Sequence, residues 1–440
     1  MYTSDGSFGP WLASFTANPD PKAPNITWKF QKGIKFHDGT DLDAKVVKWS
    51  WDKIVASGLY ASVRYHKSCN IVDDYTVETP LVEWRNSQYF AFSATQHYIV
   101  SPTNVEKKGV DALRFNICST GPFKQVEFVR DVQLKAVRFE NYWQKDKPYL
   151  EGVTYLFIAD EMTRLALFKT GGAEVMNLAG SGRIAQQLQN EGWNIVPQVS
   201  GTDSLLPDSA NADSPWASLK VRQAAEYALD KEAIAKAFGF GFNTAATQVP
   251  SPAAPSYIKD LPARKYDPAK AKQLLTEAGF PNGFKTKIIA QSTANRDVVV
   301  AIQSQYKAVG IECDLDFVEP LKYMEYQMKG WKNGLLFTPF GMEGNPIPSI
   351  GFNFPPVRTG RYMNVKNPPG WQEVYDKAAT TPTVENAWLQ KYTSEIFNDV
   401  MLIPVYWTNA LYAVGKNVHD VGLGKYSPGY WDKANTWMSK

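Results

Sequence analysis

This sequence is poor in the residues that most often hold metals or lock small folds. It carries three cysteines and four histidines in 440 residues. Cys69, Cys118 and Cys313 cannot all pair, so no disulfide framework defines the fold. Cys69 and Cys118 share the N-terminal half, where a bridge is open to them. Buried free thiols are the simpler reading, and cysteine usage does not decide the compartment. His66, His97 and His419 lie far apart, with no two at metal-ligand spacing. No apolar run approaches the roughly 18–20 residues of a membrane span, and no basic and apolar leader opens the chain. Neither sign of charge dominates. A net charge of +3 is too small for a nucleic-acid binder, which needs concentrated Lys and Arg. The H-E-x-x-H, G-x-S-x-G and P-loop patterns are absent, and Gly239-Phe240-Gly241 lacks the third glycine of a dinucleotide fingerprint. There is no internal repeat and no low-complexity tract.

What the chain does have is the composition of a globular protein, with 44% hydrophobic and 21% charged residues. Its length exceeds one ordinary core, so two domains are expected. The C-terminal half gives the clearest local signals. Asp267-Pro268 supplies an N-cap and a proline at the first helical position; Ala271, Leu274, Leu275 and Ala278 form a stripe, and Gly279 stops the helix. A strand over 285–290, a helix over 297–309 closed by Gly310 and an alternating strand over 311–317 follow. Pro320 opens another helix, Gly330 ends it, and 335–337 reads as a third strand. This order predicts an α/β unit.

The N-terminal half follows the same logic more loosely. It has strands over 153–158, 173–176 and 194–199, with helices over 161–169 and 183–190. Asp43 caps a helix with the stripe Val46, Val47, Trp51 and Ile54. Segments 74–79 and 133–139 read as antiparallel strands of one accessory layer.

Two stretches carry more specific information. One runs Trp28-Lys29-Phe30-Gln31-Lys32-Gly33-Ile34-Lys35-Phe36-His37-Asp38-Gly39-Thr40 and enters a helix. The other runs from Val221-Arg222-Gln223-Ala224 through Ala228-Leu229-Asp230 to Tyr266-Asp267-Pro268-Ala269-Lys270-Ala271. With Ser119-Thr120-Gly121-Pro122-Phe123, Asn141-Tyr142-Trp143 and Ile403-Pro404-Val405-Tyr406-Trp407, the chain resembles the family-5 extracellular solute-binding proteins. These are the peptide, nickel and oligosaccharide receptors of ABC importers.

The resemblance implies an α/β, two-lobed periplasmic-binding-protein-like fold (type II, cluster C). Lobe II, 205–405, would be inserted in lobe I, 1–204 and 406–440, with an accessory subdomain at 25–140. Two chain segments would cross between lobes, near Asp203–Leu206 and Val405–Asn409, so that the lobes close by a hinge. The family's N-terminal segment and signal would be missing ahead of the stretch matching Asp5-Gly6. A periplasmic or membrane-anchored extracellular receptor is implied, monomeric, with ABC permease subunits as partners and no cofactor.

Open α/β sheets bind ligands beyond the carboxyl ends of their strands. That rule selects Gln291, Ser292, Asn295 and Arg296 after the strand at 285–290, and Phe340, Met342 and Glu343 after the strand at 335–337. It also selects Ser181 after the short strand at 173–176; Trp407 joins them from the crossing segment. Arg296 could receive a carboxylate bidentately. In the family's peptide receptors an aspartate in the loop at 340–346 pairs with the peptide's α-ammonium, and the matching residue here is Met342. Either Glu343 substitutes, or the natural ligand lacks a free α-amine. The second reading is favoured, because adjacent residues on an extended backbone point to opposite sides.

The 14 tryptophans raise an oligosaccharide ligand stacked on aromatic faces, with Trp331, Phe340, Trp371 and Trp407 as candidates. Core packing is the commoner fate of such rings. His37 is expected to make a structural hydrogen bond, and His97 stays a candidate for a chelated metal. The rival classes are a carbohydrate-active enzyme with an Asp/Glu pair and a sensor that binds solute without transport.

Overall fold

The structure is a computed structural model that describes residues 10–57, 65–88, 98–341, 346–355, 361–423 and 431–440. Its N-terminal part is an antiparallel four-stranded sheet, β1 (Ala13–Asn18), β2 (Asn25–Phe30), β3 (Asn70–Asp73) and β4 (Thr76–Pro80), in the order β1-β2-β4-β3. The helix Ala44–Ser57 covers it. Asp43 caps that helix by accepting the Val46 N–H at 2.9 Å, and Val47 and Trp51 turn into a core with Trp28, Phe36, Val77, Cys69 and Cys118. All three cysteines are buried free thiols.

A three-stranded antiparallel sheet follows, β5 (Phe123–Val129), β6 (Gln133–Arg138) and β7 (Gly152–Leu156). Two expectations are corrected here. Segments 74–79 and 133–139 belong to separate sheets, β4 in the first and β6 in the second. The strand predicted at 153–158 pairs with β6 and does not join the large sheet. Its residues alternate between exposed and half-buried, which suits a sheet wetted on one face and not an α/β sheet covered on both.

The large sheet has seven strands: β8 (Val175–Asn177), β9 (Asn194–Pro207), β10 (Thr244–Ala245), β11 (Phe284–Gln291), β12 (Ile311–Val318), β13 (Gly334–Phe340) and β14 (Ile403–Val414). Its order is β10-β14-β9-β13-β11-β12, with β8 also on β14. β11 lies parallel to both β12 and β13. The consecutive burial of Ile288, Ile289 and Ala290 reflects helices on both faces.

Alternation sorts the side chains. Ile288, Ala290, Leu335, Phe337, Leu205 and Tyr406 enter one core with the helices Leu219–Tyr227, Pro268–Glu277 and Arg296–Ala308. Ile289, Leu336, Leu206 and Phe340 enter the other, with Pro320–Lys329, Trp371–Thr380 and Asn386–Asp399. β15 (Val418–His419) and β16 (Trp437–Met438) form a small C-terminal ribbon.

The motif around Val221-Arg222 proves to be structural. Arg222 is fully buried; its Nε and Nη2 donate to the Asp399 carbonyl at 3.0 and 2.8 Å, and Nη2 meets the Asp399 carboxylate at 3.0 Å. That anchors the chain just before β14. One helical turn on, the buried Glu226 bridges two cations, Lys231 at 2.9 Å and Arg264 at 2.8 Å. Removing the carboxylate leaves both cations enclosed without a counter-charge. Glu226→Ala should therefore cost about 3–5 kcal/mol, read as a drop in the midpoint of urea unfolding; a midpoint within error of wild type would refute this account.

Candidate functional site at the strand crossing

β9 and β14 are the longest strands, and they pair antiparallel along almost their whole length. At one end, Asn194–Val199 runs beside Asn409–Val414, where β8 joins β14. At the other, Thr202–Pro207 lies between β13 and the start of β14. The pairing slips between these halves at Thr408/Asn409, and again within the second half at Pro404/Tyr406. Ser200 is left over and lies within 3.1 Å of the Thr408 hydroxyl. Such bulges bend strands and sharpen their twist.

Register assigns faces at this crossing. Asp203 stands opposite both Tyr406 and Pro339, so the three share one face. Thr202 stands opposite Trp407 and Phe340, which share the other. On the second face Phe340 is a core residue, its ring 5.3 Å from that of Phe354. Trp407 is also buried, its ring 6.2 Å from that of Tyr257, and its indole N–H is enclosed with no acceptor among the described residues.

Several residues selected from the sequence have structural work. Asn295 caps the helix Arg296–Ala308, its Oδ1 accepting the Asp297 and Val298 N–H groups at 3.1 and 3.4 Å. The Arg296 guanidinium lies 4.0 Å from the centroid of the Phe317 ring. Gln291 ends β11, and the Ser292 N–H donates to the Val318 carbonyl at 2.8 Å. These four residues lie together at the carboxyl end of β11, with Phe340 at the same end of its neighbour β13.

Ser181 is separate from that group. It precedes the helix Gly182–Asn190, makes no side-chain cap and follows β8 on the other half of the strand pair. Met342, Glu343 and His97 lie outside the described residues. Trp331 and Trp371 are core residues whose indoles donate to the Gly334 and Phe354 carbonyls at 3.1 and 2.9 Å. His37 joins two of the sequence motifs. Its Nε2 donates to the Gly121 carbonyl at 2.9 Å and its Nδ1 accepts the Ser119 N–H at 3.4 Å. Both bonds suit the neutral ring, and burial lowers its pKa.

Asp203 is the residue that sequence reasoning passed over as a site. No residue-type signal marked it, since its neighbours Thr202 and Ser204 are themselves polar. Burial pushes its pKa up to about 6, while a hydrogen bond from the Tyr406 hydroxyl works in the opposite direction.

With this geometry in hand, the comparison with known families is decisive. The family described as "Bacterial extracellular solute-binding proteins, family 5 Middle" matches residues 7–349. The chain belongs to this family. This family-5 protein is 30% identical over 330 residues to the glutathione-binding protein GsiB of Escherichia coli O157:H7, a match covering 72% of this chain and 63% of that one. The chain thus spans less than two thirds of the curated relative's length.

Among solved structures, NikA from Brucella suis in complex with Fe(III)-EDTA superposes with a TM-score of 0.86 at 20% identity, over 100% of this chain and 93% of NikA. AgaA from A.tumefacien R10, in complex with agropinic acid, gives 0.79 at 24%, over 100% and 91%. The family-5 chain therefore has the mixed α/β fold of the cluster C periplasmic binding proteins. Among its described residues no helix is long and apolar enough to cross a membrane, and no group of three or more His, Cys, Asp or Glu could hold a metal.

The Asp203 carboxyl also sets a pH dependence. Its folded pKa, about 6, lies above the ordinary 3.8, so the folded chain binds more protons than the unfolded one between these values. Stability then falls as pH rises from about 4 through 6, and the cost persists above that window. Asp203→Asn removes it. The variant should be more stable than wild type by on the order of 1–2 kcal/mol at pH 8, partial solvent access to the carboxylate moderating the gain. The difference should vanish below pH 4, as read by urea unfolding across that range.

Proposed function

We propose that this chain is the extracytoplasmic solute receptor of an ABC importer, closing two lobes on a small polar solute and handing it to permease subunits. The observation that carries this reading is the β9–β14 pair, a two-strand connection with a register slip at its middle. Lobe I would comprise 1–204 and 406–440, and lobe II 205–405. Two adjacent strands let the lobes rotate through a few dihedral angles while each core stays packed.

The solute would lie at the crossing, beside the carboxyl ends of β11 and β13. GsiB is a glutathione-binding protein and AgaA holds agropinic acid, so a peptide-like or opine-like acid is the leading class. The oligosaccharide reading is weaker, because Trp331, Phe340, Trp371 and Trp407 are all buried. Catalysis plays no part in this reading. Glutathione, dipeptides and opines incubated with the protein should be recovered unchanged, with any bound solute at one per chain; turnover would mark an enzyme.

Closure has identifiable contacts. The segment Trp84–Asn86 belongs to lobe I, the helix Trp371–Thr380 to lobe II. The Trp84 indole donates to the Thr381 carbonyl at 2.9 Å, the Asn86 N–H to the Ala379 carbonyl at 2.8 Å, and its side-chain amide to the Ala378 carbonyl at 2.6 Å. Arg85 meets the Asp376 carboxylate at 3.3 Å. Helix C-termini leave carbonyls without intrahelical partners, and these donors serve that end of the helix. Ligand shifts an open–closed equilibrium only by its differential affinity for the closed form, and this clasp adds to the closed side before ligand arrives. The variant Arg85→Ala/Asn86→Ala should therefore scatter with a larger radius of gyration than the ligand-free wild type. An identical profile would count against closure through these contacts.

A further inference from the structure

We propose that Asp203 is the anchor for a cationic nitrogen of the bound solute, so that the solute carries an ammonium or guanidinium group. This rests on the reading of the strand crossing as the solute cleft, and it deepens that reading to a ligand class. The carboxylate stands in the middle of the large sheet, between β13 and β14, where neighbouring residues on its face would ordinarily be apolar. Below it on that face, Leu205 and Phe337 enter the core beneath the helices. At its own level the cover is one-sided, with the buried Tyr406 opposite it on β14. Its cross-strand neighbour Pro339 is exposed, as are Gly341 and Ser200 just beyond it, while Asp203 itself is half-buried. Gly341 and Gly201, where the strands leave this level, carry no side chains to fill the space. The carboxylate therefore borders an opening at the level of the register slip.

Its partners are the second part of the argument. The Tyr406 hydroxyl supplies one hydrogen bond, and a carboxylate accepts about four. Among the described residues no Lys, Arg or His pairs with it. The cation at the start of the next helix, Arg296, is stacked on Phe317. Other buried acids around the large sheet have their partners within the chain: Glu226 has Lys231 and Arg264, Asp399 has Arg222, and Asp208, with no cation, accepts the Asn333 N–H and the Asn364 amide at 2.7 Å each. An enclosed carboxylate without a counter-charge is costly, and a site open on one side lets a solute supply that charge. A primary ammonium offers donors for the remaining lone pairs in charge-assisted hydrogen bonds. The loop residue Met342 offers no such charge; Glu343 beside it carries one, and unchanged binding by Asp203→Asn would move the anchor to that loop. The favoured sequence reading, a ligand without a free amine, followed from that loop alone.

The test is isothermal titration of wild type and Asp203→Asn at pH 7.5 with four probes: glutathione, the dipeptide Met-Leu, and the N-acetyl derivative of each. Asparagine is isosteric and removes a buried charge, so the variant should melt no lower than wild type; that measurement separates lost binding from lost fold. The expected result is that an amine-bearing probe binds wild type and weakens at least tenfold both on acetylation and in the variant. Equal affinity for free and acetylated probes, or unchanged binding by Asp203→Asn, overturns the anchor. So does silence with all four probes while Fe(III)-EDTA or agropinic acid binds; the receptor reading then stands and only the cation subsite falls. A chain that binds none of the six solutes loses both.

Discussion

The pairing of β9 with β14 is the constraint on which the rest of this molecule depends. Two strands separated by about 200 residues of chain must meet in one register, because a one-residue slip would exchange the faces on which Leu205 and Leu206 lie. Several buried polar contacts surround that register. Arg222 ties Asp399, at the end of the helix that precedes β14, to the helix Leu219–Tyr227, and Thr202 donates to the Val249 carbonyl on the opposite face. At the centre the ladder is interrupted instead of perfected, with Ser200 left out of the register and Asp203 half-buried. The stable parts of the connection lie on either side of the position where rotation would occur, a distribution expected when function draws on the least stable part of a scaffold.

Much of the sheet was legible beforehand. The helix Pro268–Glu277 begins at the predicted cap, with Asp267 accepting the Lys270 N–H at 2.8 Å. The helix Glu161–Lys169 matches its predicted limits, and β11, β12 and β13 extend the strands read at 285–290, 311–317 and 335–337 by a few residues. These elements carry complete local signals: a cap, a stripe and a stop within one window. β9 did not. Its first six residues looked like a whole strand, and its continuation through Ser200-Gly201-Thr202 has no local strand signature. Pairing with β13 and β14 imposes extended structure there, which no window of neighbouring residues contains.

The candidate site divided along the same line. The rule that ligands lie beyond strand carboxyl ends located a region, and Gln291, Ser292, Asn295 and Arg296 are in it. Residue type did not reveal which side chains were already engaged. Asn295 reads equally well as a ligand contact or as a helix cap, and the helix takes it. Arg296 reads as an anion receptor, yet Phe317 on the adjoining strand holds its guanidinium. Aromatic abundance misled in a similar way, since Trp331, Phe340 and Trp371 are consumed by the cores.

By itself, the sequence determined the family, the α/β order of the C-terminal half and the helices whose caps and stops are local. It determined them because capping, periodicity and glycine stops act within a few residues, and because motif spacing survives in the linear order. Only the tertiary structure decided which strands share a sheet, which face each side chain takes and which polar groups are left without a partner. Asp203 is unremarkable in its segment. Its environment is made by Tyr406 and Pro339, residues brought to it by strands that lie far away in the chain, and burial without a counter-charge is a property of that meeting.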